Sequence, residues 1–208
     1  MGTRFARLLI ASGLAVFAAG GAWADDSSPP ADAPAKDAAQ APAPAPKTPA
    51  EIRADLYARL AASKDSDETE GLIRLLLGSY TQSGSDTGDL LLQRARVAID
   101  RKDYDAAGKI LDATVAVLPD WAEGWNARAT LRYLDDNAKG SMADIAETLK
   151  REPRHLGAMS GMAMILEGNE MYEDALKVYE RALTVAPHWK TAEDAIARLR
   201  KTIAGQEL

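Results

Sequence analysis

From Thr48 onward, apolar residues recur at the three- and four-residue intervals of amphipathic helices. Leu56, Leu60 and Ala61 mark a first stripe, and Leu72, Leu75, Leu76 and Tyr80 a second. Later stripes predict helices over 88–102, 104–117, 122–135, 138–151, 156–169 and 172–185. Thr191-Ala192-Glu193-Asp194 opens one more, reaching about Ile203, with Ala195, Ile196 and Leu199 inward and Asp194, Arg198, Arg200 and Lys201 toward water. At the front, Thr48-Pro49-Ala50-Glu51 offers a capping hydroxyl, a proline at the first helical position and a glutamate at the third. Asp120, three residues before Glu123, predicts a similar box ahead of the helix at 122.

The stripes repeat. Pro119, Pro153 and Pro187 lie 34 residues apart, and each is followed two residues later by a ring: Trp121, His155, Trp189. The same period aligns Ala95, Ala129 and Ala163, then Leu91, Trp125 and Met159, then Leu111, Ile145 and Tyr179. Tyr104 pairs with Tyr172, Ala107 with Ala175, and Arg94 with Arg128. The alanines allow two helices to approach closely, the bulky second-helix residues fill the groove between them, and each proline ends a pair and turns the chain into the next.

This period, with Trp125, Ala129, Ile145 and Pro153 in order, resembles the tetratricopeptide repeat. Arg94 and Arg128 stand where that family has leucine, alanine replaces its glycine, Ala98, Arg132 and Leu166 fill its tyrosine position, and Ser141 takes an alanine position. The stretch over 83–92 and Glu152-Pro153-Arg154-His155 also look like those of small secreted repeat proteins of Gram-negative bacteria. The resemblance implies an all-α, right-handed helical solenoid. Its repeats span 88–121, 122–155 and 156–189, preceded by a degenerate leading helix pair over 50–87 and closed by a capping helix over 190–208.

It also implies a concave groove lined by the second, fifth, ninth and twelfth residues of each repeat. These are Asp89, Leu92, Arg96 and Ile99 in the first, Glu123, Asn126, Thr130 and Tyr133 in the second, and Ser160, Met164 and Glu167 in the third. Relatives that clamp chaperone C-termini use lysine and asparagine where this chain has Leu92 and Ala127, so that partner class is excluded. The expected partner is another protein, presenting an extended peptide or a helix.

The first quarter of the chain reads differently. Arg4 and Arg7 precede an apolar run over 8–19, too short to span a hydrocarbon core of ~30 Å. Ala22-Trp23-Ala24 gives the small-x-small ending of a cleavable signal peptide, with the cut expected after Ala24. Residues 25–49, almost entirely Ala, Pro, Asp, Ser and Lys, bury too little apolar area to offset ordering and read as a disordered tether. With no cysteine after the apolar run, a lipid anchor is excluded. Periplasmic location and no stable membrane insertion after cleavage are the expectations.

Composition removes further classes. Cysteine is absent, so disulfides, thiolate metal sites and a cysteine nucleophile are excluded. Lys and Arg number 25 against 31 Asp and Glu, a net charge of −6 that argues against nucleic acid as a partner. No metal-binding His-Glu-x-x-His, nucleophile elbow or phosphate loop occurs, and Gly108-Lys109 lacks the flanking residues of the last. His155 and His188 sit at inter-repeat turns, where packing or capping is the expected role. Asp103, Asp105, Asp135 and Asp136 fall in turns between helices, Arg94 and Arg128 are expected to pair with neighbouring acids, and Tyr57, Tyr80, Trp121, Trp125 and Trp189 to pack. No catalytic residue, cofactor or metal is expected. A non-catalytic scaffold or adaptor serving the cell envelope follows, with an accessory subunit of a periplasmic enzyme complex or a self-associating solenoid as competing readings.

Overall fold

The structure, a computed structural model, describes residues 46–206; the expected signal peptide and all but the end of the expected tether lie outside the described residues. Those described form nine helices and no strand: α1 (Pro49–Ala61), α2 (Ser66–Tyr80), α3 (Asp86–Asp100), α4 (Tyr104–Val117), α5 (Ala122–Leu134), α6 (Ala138–Arg151), α7 (Leu156–Gly168), α8 (Tyr172–Val185) and α9 (Lys190–Gln206).

The ends of these helices have local causes. Thr48 and Glu51 form the expected reciprocal cap of α1. Asp65, Asp103 and Asn137 accept the amides that α2, α4 and α6 would otherwise leave orphaned. Ser85 caps α3 and starts it two residues before the expected position. The capping box expected of Asp120 and Glu123 does not form. Trp121 occupies the N-cap of α5 without a side-chain bond, and Glu123 is turned into the interior. Lys102, Asp136 and Glu170, one repeat apart, take left-handed φ values of 60°, 55° and 59° at the turn inside each pair. Only backbone geometry reveals that repeat, because none of the three is a glycine.

Helices α3 through α8 stack as three pairs, closed by α9 against α8. Leu92, Ala95, Ala107, Leu111, Ala127 and Leu131 form one core between α3, α4 and α5. Ala129, Ile145, Ala158 and Ile165 form another between α5, α6 and α7.

The helix pair α1–α2 departs from the expected leading position. Whereas α4 packs on α5 and α6 on α7, α2 has no comparable packing on α3. Instead Leu56, Leu60, Leu72, Ile73 and Leu76 join Leu156, Met159, Trp189, Ala192 and Leu199 in the largest core of the protein. Polar ties fix this placement along the edge made by the inter-repeat turns. Trp121 Nε1 donates to the Tyr80 carbonyl (2.9 Å), the Tyr57 and Tyr80 hydroxyls lie 2.6 Å apart beside the Arg154 carbonyl, and the Thr69 hydroxyl donates to the Pro187 carbonyl (3.1 Å). Burial pushes both tyrosine hydroxyls up, which keeps them neutral donors. The pair is a flank brace, and its apolar stripe was indistinguishable in sequence from that of a stacking repeat.

Candidate partner-binding groove

Between α5, α6 and α7 the inner surface opens into a pocket of about 340 Å³. Five expected groove residues meet there: Asn126, Thr130 and Tyr133 from α5, Ser160 and Met164 from α7. Ala129, Ile145 and Ile165 make an apolar floor. Exposed Tyr133, Leu134 and Met164 stand at its mouth. Gly157 and Gly161 keep the α7 wall low. Leu134 and the two glycines lie outside the positions the resemblance implied.

Beside this pocket runs a polar chain. Arg96 Nη2 donates to Glu123 Oε1 (3.0 Å), while Asn126 Nδ2 and His155 Nε2 reach Glu123 Oε2 at 3.0 and 3.1 Å. His155 Nδ1 accepts from the Ala158 amide (3.1 Å), so His155 is the N-cap of α7 and its Nε2 carries the proton given to Glu123. The ring is 1% exposed and stacked 3.9 Å from Tyr80. Arg96 remains half exposed beyond its ion pair, leaving donors for an incoming carbonyl or carboxylate.

The other expected groove residues are engaged elsewhere. Asp89 accepts from the Ser83 amide (2.7 Å) and hydroxyl (2.5 Å) and fixes the loop before α3. Leu92 is 2% exposed in the core with Ala107 and Leu111, so it cannot line a surface. Ile99 packs half-buried on the same core. Glu167 turns away from the groove, where Arg198 Nη1 of α9 (2.5 Å) and the Tyr179 hydroxyl of α8 (3.1 Å) hold it and keep its carboxyl below the usual range. Ala127 is buried as well.

Arg128 does pair with acids: Nε and Nη2 grip Asp144, each at 2.9 Å, and Nη1 reaches Asp112 (2.8 Å). Arg132 adds a third cationic contact to the buried Asp144 at 2.9 Å. Trp189 is a core residue, but Trp125 lies against both the Arg128 and Arg151 guanidinium groups, at 4.8 and 4.6 Å from its ring centroid, and donates to the Pro119 carbonyl. His188 is an exposed turn residue with φ of 65°. Among the described residues, no three His, Asp or Glu converge as a metal site, and no helix is long and apolar enough to cross a membrane.

No family model matches the chain. A TPR repeat-containing protein of Rhizobium etli is 39% identical to it over 150 residues, covering 72% of this chain and 74% of that one. Among solved structures, the first TPR of Spaghetti (RPAP3) bound to an HSP90 peptide aligns with a TM-score of 0.54 at 18% identity, over 58% of this chain and 95% of that one. The yeast Sti1 TPR2B domain in a pHsp70 complex gives 0.52 at 15% identity, over 57% and 99%. MamA gives 0.50 at 13% identity, over 73% and 82%.

Proposed function

Because the chain belongs to the tetratricopeptide-repeat proteins, we propose that it is an exported adaptor that holds an extended segment or helix of a cell-envelope protein in its concave surface. The observation that carries this reading is the pocket between α5, α6 and α7, apolar at its floor and mouth, whose Asn126 shares Glu123 with a half-exposed arginine, Arg96. Such a surface suits a segment with one or two apolar anchors and a nearby acidic or carbonyl group, at affinities of ~1–100 μM. Similarity to peptide-bound repeat domains supports the peptide half of the proposal through fold alone. The export half rests on Arg4, Arg7, the apolar run and Ala22-Trp23-Ala24.

Crosslinking in cells, followed by mass spectrometry, compares the intact chain with Tyr133→Ala/Met164→Ala and with Arg96→Ala. A partner lost from both variants, with helical circular dichroism retained, is the expected result. A partner kept by both rules the pocket out. The mature mass and cell fractionation test the export half, which fails if the chain keeps Met1 and stays in the cytoplasm.

A further inference from the structure

Among the described residues, the flank position of α1–α2 leaves the first repeat without a neighbour on its α3 side. In α5, Gly124 and Leu131 face the preceding pair, with a Cβ on Gly124 meeting Thr114 and Val115 of α4 and Leu131 5% exposed in the core shared with α3 and α4. In α7, Ala158 and Ile165 hold the same places at 0% and 6% exposure. Their counterparts one repeat earlier are Leu90 and Val97, which are 46% and 43% exposed. Gln93 and Arg94 between them are exposed too, and Arg94 makes no ion pair among the described residues, unlike its counterpart Arg128. The face on which every later repeat receives its predecessor is open.

The sequence of that face says what covers it. Asp86, Leu90, Gln93, Arg94, Val97 and Arg101 form one exposed stripe at three- and four-residue intervals. The stripe is complementary to itself in reverse. Laid antiparallel on its copy, α3 sets Leu90 against Val97, Asp86 against Arg101, and Gln93 against Arg94, each pair occurring twice. The exposed face of α9, with Lys190, Glu193, Asp194 and Arg198, offers no apolar counterpart, so head-to-tail growth from this end is disfavoured. We propose that two copies of this chain associate through α3 in a two-fold antiparallel pair, leaving both concave pockets free. A single helix pair is smaller than the ~1,200 Å² of a stable complex, so the dimer is weak, with a dissociation constant on the order of tens of micromolar.

Sedimentation of the full chain over a concentration series tests this. The expected result is a reversible monomer–dimer equilibrium that Leu90→Glu weakens at least about tenfold. Asp86→Arg and Arg101→Asp each weaken it, and the double reversal restores it, because both cross-pairs become complementary again. A chain that stays monomeric to ~1 mM overturns the proposal and leaves the face to a helix of another protein. A dimer indifferent to Leu90→Glu, or a double reversal weaker than either single one, overturns it as well. Because the native chain has no cysteine, Leu90→Cys/Val97→Cys supplies an independent readout, an oxidised dimer expected only if the two residues face each other across the pair.

Discussion

The second and third repeats solve one packing problem with opposite chemistry. Where the second buries Arg128, Arg132 and Asp144 as an ionic cluster, the third places Met162, Leu166 and Val178 at the same repeat positions in apolar contact. Both arrangements fill the space between the two helices of a pair. The difference is conditional: the apolar set tolerates loss of one member, whereas the ionic set strands a buried charge when one partner goes. What the slot requires is complementarity among three residues rather than a residue type at any one of them.

The largest effect should come from breaking the ionic set. Asp144→Ala leaves Arg128 and Arg132 facing each other without their shared carboxylate and should cost ~3–5 kcal/mol, read as a lower denaturation midpoint. The matching cut in the third repeat, Met162→Ala, removes a half-buried side chain and should cost less, about 1–2 kcal/mol. Transplanting the third repeat's set with Arg128→Met, Arg132→Leu and Asp144→Val should change stability by less than ~2 kcal/mol in either direction, and should also flatten the salt dependence of unfolding. A triple variant as unstable as Asp144→Ala would show that the two sets are not interchangeable.

The smallest effect concerns the ionic tie from α7 to α9. Arg198, then Tyr179, hydrogen-bond the Glu167 carboxyl and hold it below its ordinary value of 4.5. A carboxylate depressed in the folded state stabilises above its unfolded value, and that contribution is lost as pH falls through the lower folded one. Docking of α9 should therefore weaken only below about pH 4.5. An NMR titration should show the Glu167 midpoint rise in Arg198→Gln, and an unmoved midpoint would remove Arg198 as its cause.

Helix positions and pairing were legible because a 34-residue period carries prolines, small residues and bulky residues together. Five pocket residues were also legible, since a repeat position fixes which side of a helix a residue occupies. The placement of α1–α2 was not, because an apolar stripe states that a face is buried but not against what. Two features mark the departure in retrospect. Ser85 stands where the period calls for proline, and Gly88 sits so near Leu118 and Ser83 that a Cβ would meet them at 2.3 and 2.7 Å. Glu123 reads as a surface residue in sequence because its partner, His155, lies 32 residues further on, at the turn that closes the same repeat.

The brace has a consequence for the order of folding. Repeat arrays assemble from contacts between neighbours, so most of this chain needs only short loops to close. Tyr57 and Thr69, by contrast, bond to carbonyls 97 and 118 residues further along. Those partners are synthesised well after α1 and α2, and closing so long a loop precedes any reward from the contact. Helices α1 and α2 therefore precede their docking site along the chain, and until the Pro187 turn exists their apolar stripes must wait without a place.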